Sequence, residues 1–125
     1  LTPEMLEFLR ERHLATLTTM RPDGSPHVVP VGFTYDEDKQ VVRVITFAPS
    51  QKAKHAQRGG RAVVSQVDGG RWLTLEGTVR LATRDNDNAE VNEACARYAM
   101  RYRQPKERDN RVAIIISVDR IMGRA

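Results

Sequence analysis

One cysteine, Cys95, is the chain's whole supply of thiol, which rules out an internal disulfide. The histidines are as sparse: His13, His27 and His55 are scattered, and no spaced His/Cys set points to zinc, so no metal is expected. Aromatic residues make up 6% of the sequence, too few for the stacking platforms that hold single-stranded nucleic acid. No run approaches the roughly 20 apolar residues that span a bilayer. The segment "LTPEMLEFLRERH" mixes charged and apolar residues and lacks the basic-then-apolar layout of a signal peptide. The expectation is a cytoplasmic protein with neither nucleic acid nor membrane among its partners. Glycine-rich phosphate loops are missing as well, because the pair in "RGGRA" follows a helical segment and reads as its C-cap. Ser25 and Ser65 have no nucleophile-elbow context, and Glu76 has Thr and Trp on its face in place of a second acid. No hydrolytic constellation emerges.

What is present is an ordinary globular composition, 40% hydrophobic and 29% charged over 125 residues, consistent with a single domain spanning 1–125. The net charge is +4 and the pI about 9.6, but acids accompany the basic residues in "EFLRERH" and "YDEDK". A small anionic ligand accounts for the surplus better than a polyanion does. Thr2 and Pro3 open a helix carrying Met5, Phe8 and Leu9, with an expected end near His13. Strand-like runs follow in "LATLTTM", "HVVPVGFTY", "VVRVITF", "RAVVSQV", "WLTLEGTVRLA" and "RVAIIISVDRIMG". The fifth alternates cleanly, with Leu73, Leu75, Val79 and Leu81 on one face and Trp72, Thr74, Glu76, Thr78 and Arg80 on the other. A second helix occupies the segment after Pro49, and a third starts near Asp87, with Val91, Cys95, Tyr98 and Tyr102 as its stripe and Pro105 beyond its end. Short connections favour a mainly β, six-stranded antiparallel barrel with flanking helices.

The chemistry concentrates in "PSQKAKH". A helix starting at Ser50 presents free N–H groups, a hydroxyl and the positive end of its dipole, and Lys52 adds a full charge where a cation is unfavourable unless an anion joins it. That combination suits a phosphate. With no acid/base pair or nucleophile in view, two choices remain: a binding module, or an enzyme whose chemistry belongs to a bound cofactor.

The succession "HLATLTTMRPDGSPHVVPVGF", "VITFAPSQKAKHA", "AVVSQVDGGRWLTLEG" and "RYAMRYRQP" resembles the split β-barrel flavin and deazaflavin oxidoreductases of the pyridoxamine phosphate oxidase superfamily. Within it the chain is similar to the group that uses coenzyme F420, and "SQVDGGRWLTLEG" with "RYAMRYR" favours the biliverdin reductase branch. The resemblance implies an FMN-binding split-barrel fold and a homodimer with cofactor clefts at the subunit interface. It also implies transfer of a hydride from reduced F420 to a small conjugated acceptor, biliverdin giving bilirubin. By the same resemblance Ser50, Gln51 and Lys52 hold the phosphate, Pro30, Val31 and Gly32 face the tricyclic ring, and Thr46, Phe47 and Ala48 lie beside it. Gln66, Arg71 and Trp72 approach from the neighbouring subunit, with Arg71 placed to stabilise charge. Arg101 and Tyr102 close over the tail or substrate, and Lys54 and Arg58 add charge for the oligoglutamate tail. No residue is assigned as a catalytic acid. The alternatives are an FMN enzyme of the pyridoxamine phosphate oxidase type and a non-catalytic carrier of F420 or another anionic ligand.

Overall fold

The computed structural model describes residues 1–125 as α1 (Pro3–Arg10), β1 (Ala15–Met20), β2 (Pro26–Val31), β3 (Thr34–Asp36), β4 (Val41–Phe47), α2 (Gln51–Arg58), β5 (Arg61–Asp68), β6 (Arg71–Ala82), α3 (Arg84–Arg101) and β7 (Arg111–Arg124). All seven strands belong to one sheet, ordered β2-β1-β5-β6-β7-β4-β3, and every pairing is antiparallel. The mainly β architecture with flanking helices is as expected, but the count of six strands is corrected to seven. "HVVPVGFTY" is two strands broken at Gly32–Phe33, and its halves lie at opposite ends of the sheet. Two residues cannot span a flat sheet of seven strands. The sheet must therefore roll until its edges meet at Gly32–Phe33, and it stays split there because no ladder joins β2 to β3. No helix is long and apolar enough to cross a membrane.

The interior of the roll follows from strand alternation. Leu17, Val64, Leu73, Leu75, Val42, Val44, Ile114 and Ile116 fill it together with Phe8 and Phe33, all essentially buried. β6 keeps its predicted phase, with Leu73, Leu75 and Val79 inside and Trp72, Thr78 and Arg80 outside. Its register against β7 shifts at Glu76/Gly77, where a Cβ on Gly77 would stand 1.7 Å from the Ser117 carbonyl oxygen, so only glycine fits. β7 is buried continuously from Arg111 to Ile116 because one face meets the roll and the other meets Val91 and Ala94 of α3 through Ala113 and Ile115.

The helix ends differ from expectation in instructive ways. Thr2 caps α1 through the Met5 N–H as predicted, but the helix stops at Arg10, since Glu11 turns to extended backbone and gives its carboxylate to Arg71. α3 begins earlier than Asp87: Thr83 and Asn86 form a capping box, and Asp87, at φ −161 and ψ 68, interrupts the helix before its main run.

A buried ion network fastens α3 to the sheet. Arg43, 2% exposed, donates to Asp36 at 2.9 Å and to Glu90 at 2.8 and 3.2 Å. Burial by itself would raise the Asp36 pKa, but hydrogen bonds from Arg43 and the Lys39 N–H, with the charges of Arg97 and Arg43, hold it below its ordinary value. The hydrogen bond from Arg43 holds Glu90 low as well. Carboxylates depressed in this way stabilise the fold above their unfolded pKa, and the contribution is lost as pH falls through the folded value. Arg43→Met should cost about 3–5 kcal/mol at neutral pH, read from urea midpoints, because it strands two acids. The deficit should narrow below about pH 4, where those acids take up protons. A deficit independent of pH would mean that lost packing, not charge, sets the cost.

Candidate ligand cleft

Where the split edges meet, β2, β4, the start of α2, the end of α3 and the loop after it enclose a cleft of about 530 Å³. Its walls include Pro30, Val31 and Gly32 from β2 and the break, and Ile45, Thr46 and Phe47 from β4. Lys52 and Tyr98 enter from the helices, and residues 103–106, 108 and 111 complete it. Among the lining side chains Lys52, Arg103, Lys106, Arg108 and Arg111 are cationic and none is a carboxylate.

The α2 end is built as the sequence suggested. Ser50 caps the helix by accepting the Ala53 N–H at 3.3 Å, and its hydroxyl also shares a hydrogen bond of 3.1 Å with Thr46, which ties the cap to β4. The N–H groups of Gln51 and Lys52 have no carbonyl inside the helix to bond, as for any first turn. Lys52 is half-buried, makes no salt bridge, and has its pKa lowered by burial. An unpaired, partly desolvated ammonium beside a helix N-terminus is a standing demand for an anion. Gly59 and Gly60 end α2 at positive φ, so the pair acts as a C-cap.

Of the residues expected at the site, Pro30, Val31, Gly32, Thr46, Phe47 and Lys52 line the cleft together. Gln51 is exposed on the first turn of α2, next to the Ser50 cap. Ala48 stands behind it, its N–H and C=O both bonded to Asn110. Gln66 lies elsewhere: it is fully buried, donates to the Phe8 carbonyl at 2.9 Å and accepts from Arg101 at 2.6 Å. Arg71 stacks over Phe8 with its guanidinium 4.5 Å from the ring centre and is held by Glu11 and Asp68. That hydrogen bond from Arg71 pulls Glu11 down to a pKa of about 2. Trp72 is 37% exposed on the outer face of the sheet.

Arg101 and Tyr102, expected to close over tail or substrate, clasp the break in the sheet. Arg101 donates to the carbonyls of Glu11 and Phe33 at 2.9 and 2.6 Å. The Tyr102 hydroxyl donates to the His13 carbonyl at 2.6 Å and accepts the Phe33 N–H at 3.2 Å. Lys54 is exposed, and Arg58 is spent on the Met20 carbonyl. Neither lines the cleft.

Sequence reasoning missed Tyr98, Arg103, Lys106, Arg108 and Arg111. It also missed that His27 and His55 meet, their rings edge to face at 5.0 Å with His55 bonded to Thr19, and that Glu11, His13 and Asp68 gather around Arg71. That gathering already has its cation in the Arg71 guanidinium.

The antiparallel sheet with its flanking helices and the cationic cleft at its seam define a protein whose site suits an anionic ligand. The chain belongs to the pyridoxamine 5'-phosphate oxidase family, whose model matches residues 1–124. Over its full length it is 52% identical to an F420H(2)-dependent biliverdin reductase of Mycobacterium tuberculosis (strain CDC 1551 / Oshkosh), 89% of which it covers. Similar solved structures include a conserved hypothetical protein of Mycobacterium tuberculosis, at TM-score 0.80 and 22% identity over 98% of this chain and 84% of that one. An F420 reductase matches at TM-score 0.70 and 25% identity over 95% of this chain and 94% of its own.

Ser50→Ala should lower stability by about 1 kcal/mol, whereas Ser50→Gly should cost only a few tenths, because glycine is tolerated at an N-cap. Chemical denaturation of both variants checks this, and equal losses would place the role of Ser50 in its contact with Thr46.

Proposed function

We propose that this protein is a cytoplasmic, single-domain reductase that uses reduced coenzyme F420 to reduce biliverdin, and that it works as a homodimer. The observation that carries the reading is Lys52, unpaired and half-buried at a capped helix start in a cleft without a carboxylate. The full-length likeness to a protein named for this activity supports it.

The residues present fit the cofactor. Ser50, Lys52 and the first N–H groups of α2 would hold its phosphate. The backbone of Pro30, Val31 and Gly32 offers a flat wall to its ring, and the missing side chain of Gly32 lets Tyr98 and Tyr102 pack against that wall, since a Cβ there would lie 3.1 Å from their rings. When bound, the reduced cofactor supplies a hydride. The protein's own share is to orient the ring, exclude water and balance charge. No carboxylate or histidine lines the cleft to act as acid or base, so water is the proton source we assign.

The dimer is supported by the outer face of the sheet. Cross-strand register puts Val28, Thr18 and Val63 in one row, Pro30, Thr16, Ser65, Thr74 and Met122 in a second, and Val67 with Trp72 in a third. Val28 is 54% exposed, Val67 64% and Met122 47%, apolar side chains set among Thr16, Thr18, Ser65 and Thr74 in the mixed composition of an interface between subunits. Pro30 belongs both to this face and to the cleft, so a second copy docked here would lie beside the cleft.

Two measurements test the reading. Fluorescence titration should give tight binding of F420 and weak binding of FMN, and adding biliverdin to the reduced complex should bleach it with stoichiometric reoxidation of F420. Preference for FMN, with no turnover of biliverdin, would move the protein to flavin chemistry. Lys52→Ala should weaken F420 binding about 10- to 100-fold, the scale of a lost charge-assisted hydrogen bond, while kcat at saturating cofactor stays nearly intact. A collapse of kcat with unchanged affinity would contradict a purely binding role.

A further inference from the structure

We propose that Arg103, Lys106 and Arg108 form a second anion subsite in the cleft, one that takes clustered carboxylates and is separate from the phosphate position at Ser50 and Lys52. The proposal rests on the reading of the cleft given above and extends it to a segment that reading does not use.

The first ground is how the charges of "RQPKERDN" are sorted. In sequence the segment alternates cation and acid and looks nearly balanced. In the structure Arg103, Lys106 and Arg108 line the cleft, while Glu107 and Asp109 do not. Neither acid forms a salt bridge with them. Elsewhere Arg10, Arg43, Arg61, Arg71, Arg80 and Arg97 have a carboxylate within 3.6 Å and other arginines have none, so what sets the loop cations apart is that three of them face one cleft. The loop cations are left unpaired although acids adjoin them in sequence.

The second ground is that the loop is built, not loose. Buried Arg111 donates to the Lys106 carbonyl at 2.6 Å and to the Thr46 carbonyl at 3.3 Å, and its own N–H reaches the Arg108 carbonyl at 3.2 Å. Asn110 clasps Ala48 at the end of β4 from both sides of the peptide. The Arg108 guanidinium rests 5.1 Å from the centre of the Phe47 ring. Holding like charges side by side in a fixed loop is unfavourable until an anion joins them.

A phosphate at the α2 end is answered there by Lys52 and the helix N–H groups, which leaves the loop cations over. They come from separate points along the loop, so they suit several carboxylates on flexible arms better than one compact phosphate. Two molecules of the proposed reaction carry such arms: the cofactor through its glutamate tail and the acceptor through its propionates.

The test uses the full chain, its triple variant R103Q/K106Q/R108Q and a control, R12Q/K39Q/R84Q, that removes the same charge from exposed sites off the cleft. Calorimetry at low salt would measure a free tetra-γ-glutamate peptide, biliverdin, biliverdin dimethyl ester and inorganic phosphate. The triple variant should weaken at least one carboxylate probe about tenfold, the sum expected of three partly exposed ion pairs. Phosphate, the dimethyl ester and the control protein should be unaffected. Loss for the peptide alone assigns the subsite to the cofactor tail, and loss for biliverdin alone assigns it to the acceptor. Equal loss for phosphate, equal loss in the control, or no carboxylate binding by the unaltered protein would each overturn the proposal. F420 is absent from the assay, so a failure of the protein to bind F420 would sink the reductase reading without touching this result.

Discussion

The structure turns on a crossing of two residues. Gly32 and Phe33 carry the chain from one edge of the sheet to the other, so their peptide groups cannot join either ladder, yet Phe33 is completely buried. Buried backbone groups without partners are costly, and here side chains from the end of α3 supply them: Arg101 for the Phe33 carbonyl, Tyr102 for its N–H. The same guanidinium reaches Glu11 and Gln66, and the same hydroxyl reaches His13, so the crossing, the end of α1 and the interior of β5 share one clasp. Since the chain leaves α3 directly after this clasp, the 103–110 loop emerges at the seam. Closing the roll and placing the cleft wall are therefore one structural event.

The other end of α3 is held by different physics. Arg43, Asp36 and Glu90 join the helix to β3 and β4 through a buried ion network, while Val91 and Ala94 pack on β7. Such a network is a weak source of net stability because desolvation cancels much of its attraction, but breaking it is expensive. It fixes the rotation of the helix: Glu90 must face Arg43, and Tyr98, two turns on, then faces the cleft. Anchored by charge at its start and by the clasp at its end, α3 has little freedom to move as a lid.

Local signals made much of this legible. Thr2 as a cap, the Gly59–Gly60 stop and the alternation of β6 all follow from a few neighbouring residues, and all stand in the structure. What could not be read depends on residues far apart. "HVVPVGFTY" looks like one strand because nothing local says that its halves pair with different partners. Gln66 sits at an apolar position of β5, and its burial is tolerable only because Phe8 and Arg101 arrive from elsewhere. Arg101 and Tyr102 were legible as polar residues with a role, but their partners are the Gln66 side chain and main-chain atoms of residues 11, 13 and 33. The charges of the 103–110 loop cancel in a count and separate only in space.

That separation bears on how the cleft can do chemistry at all. With no carboxylate and no histidine at its wall, the protein offers no general base. What the wall does supply is a positive field that is already in place before a ligand arrives. Such a field favours a process in which negative charge is brought in, and then redistributed, within the cleft, because the donors need no reorganisation as the charge shifts. The hydride transfer proposed above would be a process of that kind: the electron pair delivered with the hydride would leave negative charge on the acceptor until a proton arrived, and cations at the wall would favour it. The cation-rich wall thus serves recognition at Lys52, which binds ground and transition state alike, and leaves the field of the other cations to favour negative charge on the acceptor.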